Sequence, residues 1–365
     1  MTGYVSTGRL PPNDTVAALV HEAHRRFRSV TDGNNSQVYP ALAAARSDLF
    51  GVCIATTRGR TFTAGDAEHE FPIMSVSKPF VFAIVCHAIG VDEAHERLGA
   101  NSTGLAFDSL CAIERSEDGR TNPMVNAGAI ATTSLVPGAT AETKWRCIRH
   151  GLSRFAGRAL SVNSEVYASA SATNYRNQSI ARALQGRDRI YFDVDSTTDL
   201  YTRQCSLNVT ARDLGVMGAT LADGGVNPLT NEKVIDASIC HYVLAVMATA
   251  GLYETSGDWL YSVGLPGKSG IAGGILAASP GKGGLGVFAP PLDKEGNSVK
   301  GQQAAKFLSE RLGLDLFVSQ QIERDVRPRL PNGSDRRKRA DAGGRASRAR
   351  GGPGRTRRAS VTPPR

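Results

Sequence analysis

Apolar positions along the chain switch between two periods. Val16, Leu19, Val20, Ala23 and Phe27 recur at helical spacing behind Pro12, Asn13 and Asp14, which predicts an opening amphipathic helix with a capping residue. LFGVCIATT (49–57) and RTFTAG, joined by Arg58-Gly59, read as a β-hairpin. From Ser75 to Ile89 the chain is apolar nearly all round, as in a helix buried within a domain. Residues 126–250 hold further helical patterns, among them AETKWRCIRHGLSRFAG, TDLYTRQCSLNVTARDLGVMGATLADGG and EKVIDASICHYVLAVMATAG. Near Trp259 the pattern changes: DWLYSVG, KSGIAGGILAASP and GLGVFAPP are short, Gly-punctuated and rich in β-formers, and read as three strands. Ala304, Phe307, Leu308 and Leu312 then mark a last helix.

This order predicts an α+β fold in which the two strand groups join into one antiparallel sheet of about five strands. Terminal helices flank it and the helical section backs it. A sheet part over about 1–75 and 257–322 and a helical part over about 76–256 make one composite domain, 1–322. Beyond it, 323–365 reads as a disordered basic tail.

Charge is uneven along the 365 residues. The net charge is +9, but residues 327–365 hold 13 Arg or Lys against Asp335 and Asp341, so that stretch carries +11 and residues 1–326 carry −2. The basic pI therefore belongs to the tail and does not mark the body as a phosphate binder. The tail reads as a solubilising end, or as a nonspecific contact for nucleic acid or an anionic surface. Its lack of aromatic residues disfavours base stacking. Six widely spaced cysteines form no CxxC pair or zinc-like spacing, and reduced thiols are expected. No signal-peptide pattern and no run of about 18 apolar residues is found, so a cytoplasmic protein without a membrane span is expected.

Candidate chemistry centres on Ser75-Val76-Ser77-Lys78. A helix puts residues i and i+3 on one face, so the Lys78 amine can reach the Ser75 hydroxyl. A lysine whose pKa is lowered by burial can take the proton of a serine nucleophile. The tetrapeptide alone is common in ordinary helices. Its place at the start of a buried helix after a hairpin, together with Lys268-Ser269-Gly270 far downstream, matches a β-lactamase or penicillin-binding-protein-like serine hydrolase. Other motifs carry less. His21-Glu22-Ala23-His24 is one residue short of HExxH and reads as a solvated helix face, while Gly281, Gly283 and Gly286 fall between two expected strands and read as a tight hairpin.

FPIMSVSKPF, NPMVNAGAI, YRNQSIA, DLYTRQCSLNVTARDL, LADGGVNPLT, GLYETSG, VGLPGKSGIAGGI and GNSVKG stand in this order along the chain. Over roughly residues 15–315 it thereby resembles the serine-dependent glutaminase family. The resemblance implies hydrolysis of L-glutamine to L-glutamate and ammonia, without metal or organic cofactor, by a homodimer or homotetramer. It makes Ser75 the nucleophile and Lys78 its activator, and it gives the oxyanion hole to the backbone N–H groups of Ser75 and Ile271. Asn126, Asn177 and Tyr201 match substrate-holding positions, and Tyr253 matches a tyrosine near the scissile amide.

Besides Ile271, which stands where the family usually has valine, three positions depart from the family pattern. The glutamate expected seven residues before Asn177 is Ala170, and nearby Glu165 falls elsewhere in the register. A carboxylate for the substrate's α-ammonium is thus missing, which predicts weak hydrolysis of glutamine or preference for an amide whose amino group is absent or acylated. A family tyrosine two residues before a proline aligns with Val38, while Tyr39 precedes Pro40, leaving open which of the two serves the site. Met74 replaces a glutamine common before the serine. The alternatives to a glutaminase are therefore a family-derived serine amidohydrolase of altered substrate or weak activity, a protein that retains only binding, or a penicillin-interacting enzyme of the same fold. The cytoplasmic reading disfavours the last.

Overall fold

Alternation along the strands decides how the layers stack. In the computed structural model, which describes residues 8–319, seven strands form: β1 (Gly51–Thr56), β2 (Thr61–Gly65), β3 (Phe71–Pro72), β4 (Asn208–Val209), β5 (Gly267–Ser269), β6 (Gly274–Ser279) and β7 (Gly283–Phe288). Five make one antiparallel sheet in the order β2-β1-β7-β6-β5, and the N-terminal hairpin joins the C-terminal strands by pairing Gly51 with Phe288 through Thr56 with Gly283. In β1, Val52 and Ile54 face the terminal helices Asn13–Phe27 and Val299–Leu312, while Cys53 and Ala55 pack on Val216 and Ala219 from the opposite side. Both faces are covered, which is why every residue of β1, β6 and β7 is buried.

The second cover comes from mid-chain. The helix Ala211–Ala222, inside the span read as the helical part, lies against β1, β6 and β7. It sits so close that a Cβ on Gly286 would fall 2.0 Å from the Ala211 carbonyl oxygen, and one on Gly284 would fall 2.2 Å from that of Gly215. These glycines permit backbone-to-backbone packing, and Gly281 (φ +75°) forms the β6–β7 turn, as the hairpin reading expects.

Several expectations need correction. DWLYSVG is not a strand: Ser256–Val263 is a helix in which Ser256, Trp259 and Val263 are buried at helical spacing while Tyr261 is 95% exposed. The β-formers suggested a strand, but the burial period is helical and Gly264 (φ +69°) ends the element. KSGIAGGILAASP instead supplies two strands, β5 and β6, so the sheet still has five. The first helix has no side-chain cap; Asn13 and Asp14 lie within its first turn.

The remaining helices build the larger apolar core around the buried helix Lys78–Ile89, with Phe80 tilted on Phe155 (ring centroids 4.8 Å). All six cysteines are free thiols. No described helix is long and apolar enough to cross a membrane.

Candidate active site

The site lies on the larger core, where the start of the Lys78–Ile89 helix comes beside the turn between β5 and β6. After β3 the chain enters a 3₁₀ turn, Met74–Ser77, and continues as Lys78–Ile89. In a 3₁₀ turn residues i and i+3 eclipse, so Ser75 and Lys78 share a face. Met74 takes φ +48°, a left-handed conformation that a long side chain adopts only when its surroundings force it. The Ser77 hydroxyl locks this turn by donating to the Met74 carbonyl at 2.8 Å.

Lys78 is fully buried, and its Nζ donates to Asn126 Oδ1 (2.7 Å) and the Met124 carbonyl (3.3 Å). Both acceptors are neutral, so no carboxylate bonds the amine directly. Burial lowers its pKa to about 7, against smaller raising effects of Cys205 and Asp108. No hydrogen bond joins Lys78 to Ser75 in this resting state; such contacts commonly tighten only with substrate bound.

From Lys78 an amide chain runs outward. Asn126 must offer its oxygen to the amine, which aims its Nδ2 at Asn177 Oδ1 (2.9 Å); Asn177 then donates to Asn174 Oδ1 (2.7 Å), and Asn174 to Thr202 Oγ1 (2.7 Å). The Tyr201 hydroxyl adds a second donor to Asn126 Oδ1 at 3.2 Å. Burial raises the Tyr201 pKa well above its ordinary value, so the phenol stays protonated.

Ser75, Asn126, Asn177, Tyr201 and Ile271 line one pocket. Ile271 sits in the β5–β6 turn, which Gly270 and Gly273 close by bonding Gly274 and Gly270 carbonyls, each at 2.9 Å. No described backbone carbonyl accepts from the N–H of Ser75 or Ile271, leaving both as spare donors. Tyr253 lies against Phe107, which lines the pocket (ring centroids 4.4 Å), with its hydroxyl 3.4 Å from the Ser269 carbonyl. Like Met74 it is left-handed, at φ +55°. Burial pushes its pKa up, opposed by the nearby side chains of Ser75 and Ser269.

The departures also find places. Ala170 lines the pocket, whereas Glu165 is exposed and borders a separate cavity. Tyr39 is buried in the pocket wall, while Val38 is 55% exposed at its edge. The sequence reading missed Cys205, a pocket-lining thiol whose pKa burial pushes up to about 11, and Asp108 on the loop before Asn126. It noted Lys268 only as part of a motif. That side chain is fully buried, donates to the Gly251 (2.8 Å) and Ser269 (2.7 Å) carbonyls, and packs 4.3 Å over the Tyr253 ring. Burial, reinforced by Lys78, holds its pKa well below the ordinary lysine value.

The sequence model of the family described as Glutaminase matches residues 33–317. The chain belongs to the glutaminase family. Among glutaminase relatives, Glutaminase 2 of Yersinia pestis is 67% identical over 317 residues, covering 87% of this chain and 93% of that protein. The Glutaminase of Colwellia psychrerythraea is 44% identical, covering 84% and 99%. In three dimensions the fold is similar to that of the probable glutaminase ybaS, with TM-score 0.83, 41% identity and coverage of 85% of this chain and 100% of that one. It is also similar to Mglu in its glutamate form, with TM-score 0.79, 38% identity and coverage of 84% and 70%. The antiparallel five-stranded sheet flanked by helices is thus a glutaminase-family architecture.

Proposed function

We propose that this chain hydrolyses the side-chain amide of L-glutamine to L-glutamate and ammonia through an acyl-enzyme on Ser75, with Lys78 as the base. The observation that carries the mechanism is the pairing of a pocket-facing serine with a fully buried lysine whose N–H groups are given to neutral acceptors. Near pH 7 much of that amine is unprotonated, and its lone pair can accept the Ser75 proton.

Ser75 Oγ attacks the amide carbon as its proton passes to Lys78 Nζ. The spare N–H groups of Ser75 and Ile271 hold the developing oxyanion. Asn126, Asn177 and Tyr201 hold the substrate. Collapse breaks the C–N bond, and the leaving nitrogen takes a proton through the protonated Tyr253 phenol, which Lys78 replenishes, so ammonia departs. Water then attacks the ester, Lys78 accepts its proton and returns it to Ser75, and glutamate leaves. Similarity to Mglu, solved in a glutamate form, supports the product side of this reading.

Hydroxylamine tests the intermediate. It should intercept the acyl-enzyme to give γ-glutamyl hydroxamate, and the hydroxamate-to-glutamate ratio should be the same from glutamine and from a γ-glutamyl anilide. A ratio that changes with the leaving group would mean that no common acyl-enzyme forms.

A further inference from the structure

Glutamine brings an ammonium and a carboxylate into a pocket that, apart from Asp108 and Arg176, is lined by uncharged residues. Position 170 contributes only a methyl group. Asp108, by contrast, is an acid with unused acceptor capacity. The Arg176 Nε lies 3.5 Å from Asp108 Oδ2, too far for a good hydrogen bond, and donates instead to the Asp108 backbone carbonyl at 2.9 Å. No described residue donates a hydrogen bond to the Asp108 carboxylate, whose side chain is 37% exposed at the pocket.

The loop that carries it is pinned to the reacting centre. The Phe107 carbonyl accepts from the Asn126 N–H at 2.8 Å, and the Phe107 N–H donates to Glu254 at 3.0 Å. The Phe107 ring also packs, tilted, on Tyr253. Asp108 therefore holds a fixed position relative to the Asn126 helix and the Tyr253 turn, close enough for its charge to be felt at Lys78.

We propose that Asp108 receives the α-ammonium group of glutamine, supplying from the loop before Asn126 the carboxylate that Ala170 does not. It is a specificity-determining residue for a free α-amine, and Arg176 positions it by gripping its peptide oxygen. This inference rests on the glutaminase reading of the pocket and deepens it. The expectation of weak or redirected glutamine hydrolysis, drawn from Ala170 alone, leaves this second acid out.

The test uses Asp108→Asn, which keeps the side-chain shape and the Arg176–backbone bond, and compares glutamine with glutaramate, its analogue without the amino group. A charge-assisted contact at a partly exposed site is worth roughly 10-fold. The kcat/KM preference for glutamine over glutaramate should fall by about that factor, through KM rather than kcat. Adding Ala170→Glu to Asp108→Asn should restore the preference, because both sites face one pocket. An unchanged preference, or an equal loss on both substrates, would overturn the proposal. Calorimetric binding of glutamine to Ser75→Ala protein, with and without Asp108→Asn, asks the same question without turnover. Equal affinities there would also overturn it, whereas undiminished ammonia release by Ser75→Ala would count against the serine mechanism alone.

Discussion

At the scale of single residues, reactivity turns on how burial adjusts Lys78. With its ammonium held to about 7 by desolvation, the base is protonated and idle in acid and becomes competent as pH rises. The kcat/KM for glutamine should therefore climb tenfold per unit below about pH 7 and level off above it. A profile flat from pH 5 to 8 would show that no group of this kind limits the reaction. Lys268, also fully buried, is held well below the ordinary lysine range by burial and by the charge of Lys78. Replacing Lys78 with Ala removes the base and should lower kcat by roughly 100- to 10,000-fold. Asn126→Ala should also damage turnover, since it takes away the acceptor that aims the amine; a variant with wild-type kcat would show that Lys78 needs no such anchor.

At the scale of elements, the close seat of the Ala211–Ala222 helix on β7 makes a sharp demand on glycine. Gly286→Val would drive a side chain into the Ala211 carbonyl and the Gly215 amide, and should destabilise the protein by about 3 kcal/mol, seen as a lowered Tm. A Tm equal to wild type would mean that the helix can lift from the sheet without loss. The opening helix, the β1–β2 hairpin, the buried Lys78–Ile89 helix and the closing helix were all legible from period and turn residues. Ser256–Val263 was not, because an eight-residue window rich in Trp, Tyr and Val satisfies a strand pattern until burial shows which positions point inward. Ser75, Lys78 and the loss at Ala170 could be read because they sit in long, register-fixing strings. Asp108 could not, since it lies on an irregular loop and joins the pocket through tertiary contacts alone: Phe107 with Asn126, Glu254 and Tyr253, and Arg176 with the Asp108 backbone carbonyl. The left-handed backbones of Met74 and Tyr253 had no sequence signal either, as neither is a residue that favours positive φ.

At the scale of the whole molecule, the basic stretch 327–365 lies outside the described residues, but its charge follows from composition. Removing it takes away +11 and leaves a chain of net −2. The shortened protein should lose retention on heparin at neutral pH and low salt. Retention equal to the full chain would place a basic surface within residues 1–326. Catalysis, in contrast, is assigned wholly to the junction between the sheet and the helical core, where Ser75, the amide chain from Lys78 and the β5–β6 turn converge. The most direct test of that assignment is ammonia release from glutamine by the purified full-length protein beside its Ser75→Ala variant, which removes one hydroxyl without opening a sizeable cavity. Release should fall by at least about 1,000-fold while the Tm stays near wild type. Equal release from the two proteins would contradict a serine nucleophile at this site.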